Sequence, residues 1–276
     1  MAELTNNAIL LPAHGLCLAT TLFCGQTFSW QATGPQEYVG TAGNRCVTLR
    51  QKGDAVEIEK HNGAPFSAQD TTFWQHYLAL DMDYPALLQR FATHKKLQAC
   101  VQASPGIRVL RQPFFDTLLS FIISQNNHIA RITGIVNRLK EGFGEPIGKG
   151  QYAFPAAEAL AGLAPEDLAD LRAGFRAKYL IDAAQKVASG AVEEAKLRSL
   201  PDEEARQQLT TIFGVGNKVA DCVLLYGLWR TRVVPMDVWM KRAMASTFPK
   251  GMPAAARGYE GIAQQYIFDW ARQNLK

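Results

Sequence analysis

No stretch of eighteen consecutive apolar residues occurs in the chain, so no helical membrane span is expected. The start, Met1-Ala-Glu-Leu-Thr, lacks a basic segment followed by an apolar one, so no secretory signal is expected either. Cysteine is scarce. The five present (Cys17, Cys24, Cys46, Cys100 and Cys222) are odd in number and scattered, which fits free thiols in a reducing compartment. None stands in a C-x-x-C pair and none lies beyond Cys222. That pattern argues against a structural zinc site and against a C-terminal iron–sulfur cluster. Internal repeats and low-complexity segments are also missing. Net charge is small, +4 over 276 residues, but it is unevenly spread. Residues 1–100 hold 7 Lys+Arg against 8 Asp+Glu, and the remainder holds 22 against 17. The basic excess belongs to the second part of the chain, where an anionic partner would be met.

What is there divides into two textures. In the first hundred residues, segments 44–50 and 55–59 alternate apolar and polar residues, as half-buried strands do. Gly40, Gly43, Gly53 and Gly63 read as turns around them, and helical stretches are expected near 73–80 and 85–94. From Phe114 onward the pattern is helical. Segment 114–124 is apolar, Asn126-Asn127 interrupts, and 128–143 places Ile129, Ile132, Val136, Leu139 and Phe143 at helical spacing before Gly144. Further helices are expected at 177–189, 202–212, 217–228, 237–247 and 259–273. The expected fold is α+β: an N-terminal mixed β-sheet lobe, residues 1–105, packed on an all-helical lobe, residues 106–276.

The segment Thr211-Ile-Phe-Gly-Val-Gly-Asn-Lys-Val-Ala-Asp-Cys carries the chemistry. Gly214-Val215-Gly216 permits a tight turn between two helices, because glycine tolerates positive φ. Such a turn presents backbone N–H groups beside a helix N-terminus, where a phosphate can bind, although an ordinary helix–helix turn has the same sequence. Lys218 follows in the first turn of an almost wholly apolar helix. The helix dipole and the apolar surroundings both oppose its charge, leaving more of the nucleophilic free amine. A lysine that merely reaches out to solvent is the bland alternative. In Val233-Val-Pro-Met-Asp-Val-Trp-Met-Lys-Arg, Asp237 is placed to N-cap the next helix. A capping carboxylate stays ionised near neutral pH, which suits it to stabilising a cation.

Phe213-Gly-Val-Gly-Asn-Lys-Val-Ala-Asp-Cys together with Val234-Pro-Met-Asp-Val resembles the helix-hairpin-helix, Gly/Pro-rich loop and aspartate signature of base-excision glycosylases, most closely the 8-oxoguanine DNA glycosylase family. Three further blocks agree and follow in the family's order: Cys24-Gly-Gln-Thr-Phe-Ser-Trp, Ser120-Phe-Ile-Ile-Ser-Gln-Asn-Asn-His-Ile-Ala-Arg-Ile and Gly174-Phe-Arg-Ala-Lys-Tyr. The resemblance implies a bifunctional glycosylase and lyase acting on duplex DNA that contains 8-oxoguanine. Lys218 would attack C1′ and form a Schiff base, and Asp237 would stabilise the developing oxocarbenium charge. Cys222 and Phe268 would sandwich the extruded base, Gln264 would read its Watson–Crick edge, and the carbonyl of Gly25 would face N7. Asn126 would fill the gap in the duplex. Arg131 and Arg176 would contact the orphaned cytosine, and Phe175 would wedge into the stack. Gly214, Val215, Gly216 and Trp239 would hold the backbone. No metal and no organic cofactor is implied. A monomer is expected, in the cytoplasm at the nucleoid if the source is prokaryotic, with a nuclear setting left open.

Three positions depart from the family pattern: Phe213 for a common proline, Phe175 for a common tyrosine and Trp239 for a common histidine. Two other functions compete with this one. An alkyl-purine glycosylase of the same superfamily would use Asp237 and water without a lysine adduct. A non-catalytic helix-hairpin-helix module would bind DNA only.

Overall fold

The computed structural model describes residues 7–61 and 64–275. Met1-Ala-Glu-Leu-Thr and the expected turn at Gly63 lie outside the described residues. The N-terminal part forms a five-stranded antiparallel sheet from β1 (Ala8–Pro12), β2 (Trp30–Gly34), β3 (Glu37–Ala42), β4 (Arg45–Lys52) and β5 (Ala55–Lys60), in the order β1-β5-β4-β3-β2. The β4–β5 hairpin turns at Gly53, where φ is +60°. Alternation does its ordinary work on β5. Val56 and Ile58 are fully buried, while Glu57 and Glu59 face outward and share Arg50 with Glu37 on β3. The inner face packs on Trp74, Tyr77 and Leu78 at the end of the helix Ala68–Tyr77, which Ser67 and Asp70 start with a capping box.

One expected turn is a strand residue. Gly40 lies inside β3 with Trp30 of β2 as its cross-strand partner: a Cβ there would fall on the Ser29 carbonyl oxygen and the Trp30 ring. The glycine marks close backbone approach rather than a reversal of the chain.

The remaining helices bury a second and larger core. Its members run from Tyr84, Leu87, Phe91 and Leu97 of the first hundred residues to Ile262, Tyr266 and Ala271 of the last helix, Glu260–Asn274. The buried segment 107–110 threads between the two cores and is stitched to both sides. Leu110 N donates to Gln26 Oε1 (2.8 Å), and Val109 N donates to the Tyr84 hydroxyl (2.8 Å). Between the sheet and the helices, Lys140 reaches the Thr41 hydroxyl (2.7 Å) and Asp116 accepts from Gly43 N (3.2 Å). Burial lowers Lys140 to about 8 and raises Asp116 to about 7. The helix expected over 217–228 is split. Asn217–Cys222 is α-helical, and Val223–Gly227 widens into a π-turn whose residues, Tyr226 among them, are all buried.

Candidate active site

The hairpin begins where the helix Asp202–Thr210 ends. Gly214 has φ +78°, and a Cβ on it would lie 2.5 Å from the ring of Tyr179, so both the turn and the contact demand glycine. Val215 is buried and anchors the turn. Gly216 faces open space, and its carbonyl accepts the first intrahelical bond, from Ala220 N (3.0 Å). The amides of Gly216, Asn217 and Lys218 precede that bond and are free to meet an anion.

Lys218 projects from a helix whose Val219, Ala220 and Cys222 are buried, and its Nζ stands 5.0 Å from the centroid of Phe121. Cys222 lies one turn on. Burial pushes its thiol up to about 11, against the pull of the nearby Lys218 charge and hydrogen bond, so it stays a neutral wall and not a rival nucleophile. Asp237 caps the helix Val238–Ser246, accepting from Met240 N through Oδ1 (2.8 Å). Its Oδ2 has no donor among the described residues. Lys218 and Asp237 line the same pocket, yet no ion pair joins them.

That pocket is narrow. Gly25, Phe121, Lys218, Cys222, Tyr226, Pro235, Asp237, Gln264 and Phe268 form its walls. Gly25 has φ +85°, and an added Cβ would touch the Phe268 ring at 3.4 Å. Gln264 is buried, with its Oε1 3.4 Å from the Tyr226 hydroxyl. Lys218 and Asp237 also edge a wider cleft of about 440 Å³, to which Asn126, Gly216, Val238 and Trp239 contribute. The two expected catalytic groups therefore stand where an open cleft meets a slot with apolar walls. The expected base-binding residues line the slot.

Outside the slot, Asn126 sits exposed at φ +47° between the helices Phe114–Ile123 and Ile129–Phe143. Arg131 is exposed and makes two long bonds, to Asn127 Oδ1 (3.4 Å) and the Arg172 carbonyl (3.2 Å). Arg176 is placed differently. It is 2% exposed and gives its donors to backbone carbonyls: Nε to Gln125 (2.9 Å), Nη1 to Ala173 (3.1 Å), and Nη2 to Gln125 and to Asn126 (3.0 Å). In this form it holds the Asn126 loop, with four of its five N–H groups engaged. Phe175 and Phe213 are 47% and 52% exposed and flank Tyr179, with ring centroids 5.7 and 5.1 Å away. Trp239 lies in the cleft beneath Arg242, 5.1 Å from its ring centroid.

Phe121, Tyr226 and Pro235 are wall residues that the sequence did not single out. For Tyr226 a signal existed, since it follows Lys218 and Cys222 at steps of four. Among the described residues, no group of three His, Cys, Asp or Glu side chains is placed to hold a metal, and no helix is long and apolar enough to cross a membrane.

Known proteins share this fold. Residues 8–118 match the model of the 8-oxoguanine DNA glycosylase N-terminal domain, and residues 119–251 match that of the HhH-GPD superfamily of base excision DNA repair proteins. The chain thus belongs to the helix-hairpin-helix base-excision repair superfamily and, within it, to the 8-oxoguanine DNA glycosylase family. An N-glycosylase/DNA lyase of Saccharomyces cerevisiae is 34% identical over 82% of this chain and 67% of its own. The N-glycosylase/DNA lyase OGG1 of Arabidopsis thaliana is 33% identical over 81% of this chain, which spans 64% of that relative's length. Among solved structures, MBOgg1 in complex with a low-affinity DNA ligand superposes with a TM-score of 0.92 at 35% identity, over 100% of this chain and 99% of its own. The Clostridium acetobutylicum 8-oxoguanine glycosylase/lyase, bound to double-stranded DNA with cytosine opposite 8-oxoG, gives 0.89 at 31% identity, over 99% of this chain and 98% of its own.

Proposed function

We propose that the protein excises 8-oxoguanine from duplex DNA and then nicks the strand at the vacated site. One observation carries this reading: Lys218 and Asp237 meet at the mouth of a slot whose walls are Gly25, Cys222, Gln264 and Phe268. A base can reach such a slot only by leaving the stack. The Phe268 ring and the neutral Cys222 thiol offer faces to a flat purine, and Gln264 offers an amide to its edge. 8-Oxoguanine carries a proton on N7, where guanine has only a lone pair. The Gly25 carbonyl can accept that proton, whereas guanine would leave the carbonyl unpaired at a cost of about 1–3 kcal/mol.

Lys218 then attacks C1′ as the bond to the base breaks, and the adduct becomes a Schiff base from which β-elimination cuts the strand. The Asp237 carboxylate offsets positive charge developing on the sugar. The free amides at Gly216–Lys218 grip a phosphate, Val215 holds that turn in place, and Trp239 supports the backbone from the cleft. Phe175 wedges the stack while Asn126 and Arg131 meet the orphaned base, with Arg176 setting the loop that carries Asn126. Action as a monomer is part of the same proposal. The test is borohydride trapping on a duplex with 8-oxoguanine opposite cytosine. The wild-type protein should form a covalent adduct. Lys218→Gln should lose trapping, excision and nicking while still binding DNA, and undiminished trapping would assign the nucleophile elsewhere.

A further inference from the structure

Gly25 is flanked by two restrained peptides. The carbonyl before it, on Cys24, accepts a hydrogen bond from Gln265 Nε2 (3.0 Å). The carbonyl after it, on Gln26, accepts one from Gln112 Nε2 (2.7 Å). The Gly25 carbonyl between them takes no donor from any described residue, and Gly25 lines the slot. Both glutamines are braced by one residue. The Tyr226 hydroxyl donates to Gln265 Oε1 (2.6 Å), and the Tyr226 carbonyl accepts from Gln112 N (2.8 Å). Gln265 and Tyr226 are buried. The side chain of Gln26 is committed as well, donating to the carbonyls of Thr21 and Arg108 (2.8 Å each) and accepting from Leu110 N.

The chemistry of base choice explains what such restraint achieves. The peptide that joins Gly25 to Gln26 has a carbonyl on one edge and an N–H on the other. If it turned over, the slot would present a donor in place of an acceptor. A donor matches the lone pair on guanine N7 and opposes the N7 proton of 8-oxoguanine. Glycine at φ +85° is the residue most able to undergo such a flip. Fixing the carbonyls on either side removes that freedom. We infer that Gln265 and Gln112, coupled through Tyr226, are specificity-determining positioning residues that lock the Gly25 peptide with its carbonyl toward the base. This inference rests on the proposed reading of 8-oxoguanine by Gly25.

The test separates base reading from the chemistry that follows. Nicking of a preformed abasic site needs Lys218 but has no base to read. In Gln265→Met the ratio of 8-oxoguanine excision to abasic-site nicking should fall about tenfold or more, the equivalent of one well-placed hydrogen bond. Tyr226→Phe keeps the ring, which stacks on Phe121 at 5.2 Å, and removes only the hydroxyl. It should shift the ratio in the same direction by a smaller factor, and it serves if the methionine variant fails to fold. In a Lys218→Gln background, either change should reduce the preference for 8-oxoguanine over guanine opposite cytosine in equilibrium binding. A merely structural role would lower both affinities, or both reactions, in parallel, and that outcome overturns the lock. An unchanged ratio also overturns it. A wild-type protein that nicks abasic sites but leaves 8-oxoguanine in place would instead overturn the substrate reading.

Discussion

Replacing Arg176 by alanine tests how the Asn126 loop is held. Arg176 lies 50 residues from Asn126, and its donors end on the carbonyls of Gln125, Asn126 and Ala173. Burial lowers its pKa, yet a guanidinium remains charged at any working pH, so these are charge-assisted bonds. A hydrogen bond to a charged group contributes about 1.5–3 kcal/mol. Gln125 and Asn126 are partly open to solvent, however, and water can replace much of what is lost. We therefore expect roughly 2–4 kcal/mol of destabilisation rather than the full sum of the bonds. For a chain of this size that corresponds to a fall in Tm of roughly 5–12 °C. Arg131→Ala is the matched control, because Arg131 is exposed and its two bonds are long. It should melt within about 2 °C of the wild type, as surface substitutions do. The two arginines should also separate in function. Arg131→Ala should flatten a preference for cytosine opposite the lesion, read as single-turnover excision opposite each of the four bases. Arg176→Ala should slow excision opposite all four as the Asn126 loop loosens. A thermal melt of Arg176→Ala that matches the wild type would refute the pin, and equal wild-type rates opposite all four bases would leave Arg131 a phosphate contact only.

Three further outcomes follow from the geometry. Asp237→Asn should keep its cap on Met240 N and its fold but slow base excision by roughly 100-fold or more in single-turnover assays, because an amide cannot offset a developing cation. A near-normal rate would reduce Asp237 to a cap. Gly214→Ala forces a Cβ onto Tyr179 at positive φ and should cost about 1–3 kcal/mol in thermal or urea unfolding; Gly216→Ala meets no atom, so it should melt normally and lose DNA affinity only. Asp116 and Lys140, where the sheet meets the helices, should shape stability against pH. Asp116, raised to about 7, favours the fold while protonated, so its contribution is complete below about pH 4 and is lost as pH rises toward 7. Lys140, lowered to about 8, contributes fully only above about pH 10.4, and that contribution is lost as pH falls toward 8. Asp116→Asn should flatten the acid-side slope in melts run between pH 5 and 7.5, and an unchanged slope would remove Asp116 as its source.

The legible parts of the molecule are those in which local pattern and final environment coincide. β5 alternates in sequence because one face is core and the other is open to water; β4 alternates too, although Cys46, Val47, Thr48 and Leu49 are all buried. The hairpin was legible because two glycines and a lysine within five residues constrain one another locally. β1 was harder, since Ile9-Leu10-Leu11 is a continuous apolar run even though only alternate residues are fully buried. β2 has a single buried residue, Trp30, and so carries no pattern. Gly40 reads as a turn because nothing nearby reveals that Trp30 will pack against it. The widest miss concerns partners that folding brings together over long distances. Gln265 meets Cys24 across 241 residues, and Arg176 meets Gln125 across 51. Motif likeness can suggest that such residues matter, but it does not say which backbone carbonyls they meet.

Tyr179 shows how the departures from the family pattern fit one another. Its ring meets both Phe175 and Phe213 edge-on, and Gly214 approaches it so closely that no side chain fits between them. The wedge segment and the hairpin are therefore not independent attachments. A shift of either must move Tyr179 and with it the other. Lys178 adds a cation 5.1 Å from the centroid of Phe213, so this aromatic ridge also carries charge where an anionic backbone would pass. A proline before the hairpin would set the backbone of the turn but could not reach across to an aromatic ring as Phe213 does. A tyrosine at 175 would add a hydroxyl to a ring that already meets Tyr179. In this chain two phenylalanines on a shared tyrosine give segment 174–179 and the Gly214–Gly216 turn one base; on the proposed reading, bending the duplex and seating its backbone would then be a single mechanical event.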